Sequence, residues 1–375
     1  MASIEPTQGT TLQRTPLFEA ACAAGGRMVP FAGWEMAVQF GGLLQEHQAV
    51  RQGCGLFDIS HMGVLRLRGE GVKDALQGLV PTDLFRIGPG EACYTVLLNE
   101  QGGIRDDLIV YDRGWQADAQ VHELLLVINA ACADADTAWI RSQLEPQGIT
   151  VANRKGDGVL LALQGPEAQA RLEALSGTNL DGLPRFGHRE LDLAGATAFV
   201  GRTGYTGEDG FELLLPRNAG LALWTQLLAD GVVPCGLGSR DTLRLEAAMH
   251  LYGADMDGAT TPLEAGLGWL VHLEMPKPFI GRAVLERQTA EGVQRRLVGL
   301  TLQGRAIARH GYPVLQNGER VGEITSGTWS PTLGQAVALA YVPVAAAKLG
   351  TELTVEIRGK AEPAVVVKRP FYRRT

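Results

Sequence analysis

The chain has 375 residues, of which 45% are apolar and 20% charged, a composition typical of a folded globular protein rather than a disordered one. Its length exceeds the roughly 100–200 residues of a single domain, so the sequence predicts two or three domains. With 34 Lys and Arg against 41 Asp and Glu, the formal net charge is −7, which argues against a general binder of nucleic acid or of anionic membranes.

The N-terminal segment lacks the pattern of a targeting sequence. Glu5 and Glu19 interrupt it, and no apolar stretch follows a basic start, so no secretory signal or transit peptide is predicted. The five cysteines are an odd number without any Cys-x-x-Cys pair, which indicates a reducing compartment and no disulfide framework. No uninterrupted apolar run is long enough for a membrane span. We therefore expect a cytoplasmic protein.

Short helices and strands alternate along the chain up to about residue 290. Glycine and proline separate them, and apolar runs around Gly-containing loops indicate strand hairpins. In chain order the pattern predicts a helix over 45–51 ended by Gly53, a hairpin over 91–111, a helix over 134–144, a strand over 159–163 followed by a helix, a hairpin over 197–215, and a helix over 239–251 with Ser239 as its N-cap.

The sequence pattern changes near residue 293. Short strand signals then recur at regular spacing, in LVGLTLQG, YPVLQNGERVGEITSG, AVALAYV, ELTVEIRG and AVVVKRPF. Such spacing is typical of a small β-barrel. We therefore expect two interleaved α+β domains over 1–285 and a β-barrel domain over 286–375.

Several familiar catalytic motifs are absent from the sequence. It holds no Gly-x-x-x-x-Gly-Lys-Ser/Thr loop, no His-Glu-x-x-His and no Gly-x-Ser-x-Gly, and Gly236-Leu237-Gly238 lacks the third glycine of a dinucleotide site. The seven histidines are scattered without the spacing of metal ligands. We expect neither a nucleotide cofactor nor a metal.

The first positive signal is the acidic pair Asp106-Asp107 inside the apolar run Ile104–Tyr111. Carboxylates in such a run are unfavourable to bury unless they are paired or functional. The two side chains point to opposite faces of a strand. A bulge near Gly102 would exchange the two faces, so the pattern leaves open which acid is functional and whether both lie on the surface.

The second signal is the glycine-rich run RTGYTGEDGFEL over 202–213. Its glycines would let the backbone turn tightly and approach a ligand. Glu212 follows within an apolar strand, where its carboxylate would accept two parallel hydrogen bonds from an amine beside a ring N–H. The alternative is a structural ion pair, for example with Arg202.

A third segment, GSRDTLRLEA over 238–247, places Arg240 in a first helical turn, where the helix dipole disfavours a cation. This position suggests that Arg240 binds an anion. Arg244 and Glu246 are more typical of structural ion pairs. In FDISHMG, His61 beside Met62 is more typical of a structural residue than of a catalyst.

These segments resemble the aminomethyltransferase (T-protein) family of the glycine cleavage system, from one end of the chain to the other. The residues that carry the resemblance are RTPLFEA (14–20), MVPFAGWEM (28–36), FDISHMG (57–63), NEQGGIRDDLIVY (99–111), LALQGP (161–166), RTGYTGEDGFEL (202–213), CGLGSRDTLRLEA (235–247), LYGADMD (251–257) and ITSGTWSPTLG (324–334). The resemblance implies an α+β fold of three domains in a cloverleaf around a central folate cavity, the last domain being a β-barrel.

The resemblance also implies an activity. Members of the family take an aminomethyl group from the lipoyl arm of the H-protein, release ammonia and pass the one-carbon unit to tetrahydrofolate, giving 5,10-methylenetetrahydrofolate. The expected partners are thus lipoylated H-protein and tetrahydrofolate, without a metal, nucleic acid or membrane.

Carried over residue by residue, the family's catalytic aspartate falls on Asp107. Its pterin-binding glutamate falls on Glu212, and the arginine near the folate tail falls on Arg240. Further expected contacts to the ligand are Tyr205, Tyr94, Asn129, Met62 and the C-terminal Tyr372 and Arg373.

Two other functions of the same fold stay open at this point. One is a folate-dependent demethylase acting on a different methyl donor. The other is a non-catalytic folate-binding protein of iron–sulfur cluster maturation, whose K-G-C-Y-x-G-Q-E type of motif is missing here, because Glu91-Ala92-Cys93-Tyr94 continues as Thr-Val-Leu.

Overall fold

The computed structural model describes residues 11–374. Residues 1–10 and 375 lie outside the described residues. The prediction that the N-terminal segment holds no targeting signal therefore falls partly outside them. No helix in the range 11–374 is both long and apolar enough to cross a membrane.

The chain up to residue 153 forms alternating strands and helices. Their bounds are β1 (Gln13–Arg14), α1 (Phe18–Ala23), β2 (Arg27–Phe31), β3 (Trp34–Gln39), α2 (Leu43–Gln52), β4 (Gly55–Asp58), β5 (Gly63–Gly69), α3 (Val72–Gln77), β6 (Ala92–Leu98), β7 (Ile104–Gln116), β8 (Val121–Ile128), α4 (Ala133–Leu144) and β9 (Thr150–Asn153).

The remaining chain contains both helices and strands up to residue 291 and forms almost only strands after it. The bounds are β10 (Gly158–Gln164), α5 (Ala168–Ser176), β11 (His188–Leu193), β12 (Ala196–Gly201), β13 (Gly210–Pro216), α6 (Arg217–Ala229), β14 (Val233–Cys235), α7 (Leu237–Glu246), α8 (Arg282–Glu291), β15 (Arg295–Leu302), β16 (Pro313–Gln316), β17 (Glu319–Ser330), β18 (Gln335–Pro343), β19 (Glu352–Ile357) and β20 (Lys360–Val367).

Two larger sheets interleave in the first part of the chain. One has six strands in the order β11-β12-β13-β10-β4-β14, and the other has five in the order β6-β7-β8-β5-β9. The chain therefore starts the six-stranded sheet with β4, leaves to build the five-stranded sheet, and returns with β10. A small sheet, β1-β3-β2, lies at the N-terminal end. The predicted hairpins are confirmed as β6–β7 and β12–β13.

The predicted C-terminal β-barrel is confirmed. Its six strands close in the order β15-β18-β17-β16-β19-β20. Strand β18 is apolar on both faces: small residues such as Ala338 and Ala340 fill the narrow barrel interior, while Val337 and Leu339 pack outside against Leu245 of α7. Because both faces are buried, β18 has the continuous apolar sequence of a buried strand.

Two boundaries differ from the sequence prediction. Helix α7 begins at Leu237 after Gly236 and ends at Glu246, so the prediction of Ser239 as N-cap is wrong. Ser239 lies inside the helix, and its hydroxyl donates to Glu46 Oε2 at 3.0 Å. The domain boundary expected at 285/286 falls within α8, and the first barrel strand begins only at Arg295.

A buried ion cluster connects elements around the six-stranded sheet with the barrel. Arg51 of α2 donates from Nη1 to Glu208 Oε1 and from Nη2 to Glu246 Oε2, both at 2.8 Å, and Nη1 also donates to the backbone oxygen of Thr206 at 2.8 Å. From the β17–β18 turn of the barrel, the Thr332 hydroxyl donates to Glu246 Oε2 at 2.7 Å. All three charged side chains are almost fully buried.

Breaking this cluster should destabilise the protein, because it leaves two buried carboxylates without the guanidinium that they share. We predict that Arg51→Met lowers the free energy of unfolding by about 3 kcal/mol, the scale of a broken buried ion pair. Thermal and denaturant unfolding would measure the change. Arg171→Met is the matched control, since Arg171 makes only exposed contacts, an ion pair with Glu167 and a hydrogen bond to the backbone oxygen of Asp230, and should change stability by less than about 1 kcal/mol. Equal losses in both variants would contradict the prediction.

Candidate functional site

A cavity of about 1230 Å³ lies where the two larger sheets and the barrel meet. Its walls include Asp107 of β7, Glu212 of β13 and Val366 of β20, so each of the three bodies contributes. The volume exceeds the roughly 300–1,000 Å³ of most small-molecule sites, which leaves space for an elongated ligand.

Strand alternation brings Asp107, and not Asp106, to this cavity. On β7, Asp106 is 0% exposed and shares the core face with Leu108 and Val110, whereas Asp107 and Ile109 line the cavity. The pairing of β6 with β7 shifts between Leu97 and Leu98, where Arg105 is the extra residue on β7, and the alternation stays intact from Asp106 to Val110. The sequence left open which of the two acids faces the ligand site, and in the structure Asp107 is the one that faces the cavity.

Asp107 is held by two polar neighbours. The Tyr94 hydroxyl donates to Asp107 Oδ2 at 3.1 Å, and Asn129 Nδ2 donates to Asp107 Oδ1 at 2.8 Å. Burial is the main cause that raises the pKa of Asp107 to about 7; a charge on Asp106 acts in the same direction, and the hydrogen bonds from Tyr94 and Asn129 act in the opposite direction. The carboxyl group can therefore accept and release a proton near neutral pH.

A cluster of three further groups lies behind Asp107. Side-chain ligand atoms of Asp106, Cys132 and Asp136 all lie within 4.8 Å of one another. Both oxygens of Asp106 already accept hydrogen bonds from Asn129, at 3.0 and 2.8 Å. A carboxyl–carboxylate pair that shares a proton explains this arrangement better than a metal site does.

The glycine-rich run forms the loop that precedes β13. A side chain at position 204 would come within 2.0 Å of the Gln164 amide oxygen, and Gly207 has a φ of +80°, so glycine is required at both positions. The loop leads into β13, where Phe211 and Leu213 point into the core and Glu212 faces the opposite side.

Glu212 is 7% exposed, and Thr203 Oγ1 donates to its Oε2 at 2.8 Å. Burial raises the pKa of Glu212. The alternative of an ion pair with Arg202 is wrong, since Arg202 binds Asp209 instead, with Nη2 2.6 Å from Oδ2.

Arg240 lies beside Glu212, close enough for its charge to oppose the effect of burial and lower the pKa of that carboxyl. The guanidinium stacks over the ring of Tyr205 at 4.8 Å from the ring centre. Its Nη1 is buried without a hydrogen-bond partner among residues 11–374. The Tyr205 hydroxyl donates to the backbone oxygen of His250. Glu212 and Arg240 thus form an acceptor and a donor in the same wall.

His61 and Met62 also line the cavity, at the link between β4 and β5. His61 is only 3% exposed, and burial together with the charges of Arg240 and Lys155 lowers its pKa to about 3, so its imidazole is neutral. Its Nδ1 has no partner within the described residues. From the sequence, His61 was predicted to be a structural residue. Its place in the cavity wall depends on the packing of the two sheets, which no local sequence pattern reports.

Positive side chains line the barrel side of the cavity and its entrance. None of them forms an ion pair with an acidic side chain in the described range, which is notable in a chain of net charge −7. They are Arg185, Arg296, Lys368, Arg369 and Arg373. The sequence analysis named only Arg373 among these, since no local pattern distinguishes the others from surface cations.

One aromatic residue lines the cavity without having been predicted from the sequence, and one that was predicted there lies elsewhere. Trp269, which the sequence analysis missed, is 65% exposed and stacks on Tyr94 with ring centres 6.1 Å apart at the cavity wall. Tyr372 was expected at the ligand, but its ring lies over the Arg51 guanidinium, 4.0 Å from the ring centre, and is not part of the cavity lining.

Comparisons with known proteins agree with this architecture. Residues 17–275 match the GCVT N-terminal domain, and residues 295–373 match the glycine cleavage T-protein C-terminal barrel domain. The chain is 73% identical over 360 residues to an aminomethyltransferase of Synechococcus sp. (strain RCC307), covering 96% of this chain and 99% of that protein. It is 68% identical over 370 residues to an aminomethyltransferase of Prochlorococcus marinus (strain MIT 9303), covering 97% and 98%.

A solved structure is similar over nearly the whole chain. The crystal structure of the glycine cleavage system aminomethyltransferase T from Bartonella henselae superposes with a TM-score of 0.89 at 37% identity, covering 96% of this chain and 98% of that one. These relatives favour an aminomethyltransferase over the demethylase and the iron–sulfur maturation protein. The chain belongs to the T-protein family and is an aminomethyltransferase of the glycine cleavage system.

Proposed function

We propose that this enzyme binds tetrahydrofolate in the central cavity and transfers to it the one-carbon unit of an aminomethyl group carried on the lipoyl arm of the H-protein. Ammonia is released, and 5,10-methylenetetrahydrofolate forms. The observation that carries the proposal is the pairing, in one cavity, of a carboxyl group that titrates near neutral pH with a second buried carboxylate, Asp107 with Glu212.

Glu212 and Arg240 supply the groups that a pterin ring requires. The Glu212 carboxylate accepts hydrogen bonds from the ring amine and the adjacent ring N–H, side by side. Arg240 was expected near the folate tail, but its proximity to Glu212 favours a contact at the pterin end. The positive residues at the entrance, including Arg296, Lys368 and Arg373, suit the anionic glutamate tail.

Tyr205, Tyr94 and Met62 are proposed to contact the ring system, because all three line the cavity between Asp107 and Glu212. Asn129 is proposed to act through the orientation of Asp107. Since its ring lies over Arg51, we propose that Tyr372 contributes to the site by fixing the C-terminal segment that carries Arg373.

Asp107 is the group suited to the chemistry. Tetrahydrofolate, when bound, supplies the N5 and N10 amines that accept the one-carbon unit. The carbon forms bonds to N5 and N10 while its bonds to the ammonia nitrogen and to the lipoyl sulfur break, and the two protons that N5 and N10 lose leave with ammonia and with the dihydrolipoyl thiol. While ionised, the Asp107 carboxylate stabilises the positive charge that develops on the carbon as ammonia leaves, and it then accepts the proton that the attacking amine loses. The buried surroundings strengthen this electrostatic effect relative to water.

The donor arrives on a protein arm, so the enzyme needs a docking surface near the cavity entrance. The unpaired cations at the entrance suit an acidic partner surface. Docking raises the effective concentration of the arm, and free aminomethyl-dihydrolipoamide should therefore react far more slowly than the carrier-bound group.

Removing the charge of Glu212 should weaken ligand binding. We predict that Glu212→Gln raises the Kd for tetrahydrofolate about tenfold, since a charge-assisted hydrogen bond contributes about 1.5–3 kcal/mol. Anaerobic calorimetry measures the Kd. Glu190→Gln is the control, because Glu190 is half exposed and pairs with Arg113. An unchanged Kd in Glu212→Gln would remove Glu212 from the pterin site.

Asp107→Asn should impair turnover and leave binding intact. We predict that kcat falls by about 10²-fold with little change in the Kd of tetrahydrofolate, the scale of a general acid–base contribution. The wild-type kcat should rise with pH around the Asp107 pKa of about 7, since only the ionised carboxyl group accepts a proton. This rise should be lost in Asp107→Asn and kept in Asp118→Asn, whose side chain is exposed. A retained rise in Asp107→Asn would exclude Asp107 as the base.

Electrostatic docking of the H-protein predicts a salt-dependent rate. The kcat/KM for the carrier-bound donor should fall as NaCl is raised, whereas the rate with the free lipoamide donor should not. Lys368→Gln should lower kcat/KM for the carrier by about threefold at low salt and leave kcat/KM for the free lipoamide donor unchanged, which separates docking from an effect on folate binding. Lys360→Gln, at the exposed start of β20 outside the cavity lining, serves as the control. A rate for the carrier that is independent of salt would contradict electrostatic docking.

A further inference from the structure

Two buried carboxyl groups lie directly behind Asp107 without an adjacent positive charge in contact. Asp106 is 0% exposed and Asp136, in the first turn of α4, is 2% exposed. Their oxygens and the Cys132 sulfur lie within 4.8 Å of one another. Asp136 Oδ2 has no hydrogen-bond donor within residues 11–374. A buried acceptor of this kind needs a donor, and a protonated Asp106 carboxyl group in the same cluster is a stronger donor than the Cys132 thiol.

Two carboxylates this close in a buried setting do not both ionise. Burial raises the pKa of both groups, that of Asp136 to about 6 and that of Asp106 well above its usual range. The pair therefore holds one proton at neutral pH, on Asp106, with the negative charge on Asp136. Because the two carboxyl groups titrate together, this charge state belongs to the pair as a unit.

The proton on Asp106 matters because one amide group connects Asp106 to Asp107. Asn129 Nδ2 donates one hydrogen to Asp106 Oδ1 and the other to Asp107 Oδ1, each at 2.8 Å. A charge on Asp106 acts directly on Asp107 and is among the causes that raise its pKa. The charge of Asp136 lies further from Asp107 than a charge on Asp106 does, because Asp106 lies between them.

The other titratable groups around these carboxyls do not compensate for such a charge. Tyr94 and Tyr205 face Asp107, while Cys132 and Tyr252 face the pair, and burial raises the pKa of all four, so they stay neutral. Arg105 is the nearby cation, and its charge acts on Asp136. This placement favours the ionised form of Asp136 over that of Asp106.

We propose that Asp136 is a positioning residue for the reaction: it carries the negative charge of the pair, keeps Asp106 protonated, and so removes a second charge from the side of Asp107. This inference rests on the proposed proton transfer by Asp107. Asp136 reaches neither the substrate nor the cavity, because the two oxygens of Asp106 and the Asn129 amide lie between.

Asp136→Asn reverses this assignment. The amide of the variant donates a hydrogen bond to Asp106, which then ionises and places its charge beside Asn129. Asp107 becomes harder to ionise, so the pH at which kcat is half maximal should move upward by about one unit. A purely structural role would lower stability or kcat without moving this midpoint.

Infrared spectroscopy of the free enzyme tests the shared proton without reference to activity. At pH 8, in the Asp107→Asn background that removes the titration of Asp107 itself, the enzyme should show the band of a protonated carboxyl group, and the further substitution Asp106→Asn or Asp136→Asn should abolish it. Asp134→Asn is the matched control, since Asp134 lies in the same turn of α4 with a side chain that is 83% exposed, and it should keep the band. A band that persists in Asp136→Asn would overturn the proposal.

The pH profile of kcat completes the test. The midpoint should move upward in Asp136→Asn and stay in place in Asp134→Asn, with tetrahydrofolate binding confirming that both variants are folded. An unmoved midpoint in Asp136→Asn overturns the positioning role. If Asp107→Asn has full activity, the proposed function of Asp107 fails, whereas the infrared result still decides whether the pair shares a proton.

Discussion

The geometry of the cavity depends on the buried guanidinium of Arg51. It binds the loop oxygen of Thr206, one residue after Tyr205, and it binds Glu246 at the end of the helix that carries Arg240. The barrel attaches to the same carboxylate through Thr332. Since an unpaired charge in this position is strongly unfavourable, the glycine-rich loop, helix α7 and the barrel have a relative placement that satisfies all the partners. The walls that carry Tyr205 and Arg240 are thereby fixed before a ligand enters.

Burial has two opposing consequences in this site. It raises the pKa of Asp107, so the folded protein holds a proton there that the unfolded chain releases near pH 4. The contribution of Asp107 to the free energy of unfolding therefore decreases as the pH rises from about 4 to about 7, and its ionised carboxyl group is a source of instability above that range. The same low-dielectric surroundings make Asp107 an effective base near neutral pH. Stability is thus lower where reactivity is highest, as in many enzyme sites.

The sequence predicts those features that depend on local patterns. Apolar runs around glycine loops predicted both hairpins, and regular strand spacing predicted the barrel. Strand alternation separated Asp106 from Asp107, but which of the two faces the cavity could not be decided, because it depends on where the bulge lies in β7. The roles of His61 and Asp136 were missed for a different reason: each meets its partners only through contacts between elements distant in the chain, such as β7 with α4.

The interleaving of the two sheets explains why the site combines two kinds of group. Since β4 and β10 enclose the whole five-stranded sheet in the sequence, the β6–β7 and β12–β13 hairpins come to face one cavity and contribute Asp107 and Glu212. The C-terminal segment after β20 then closes the third side with cations such as Lys368 and Arg373. A ligand with a hydrogen-bonding ring at one end and an anionic tail at the other uses all three walls at once. Its binding would therefore stabilise the assembled arrangement over any in which one wall has moved away.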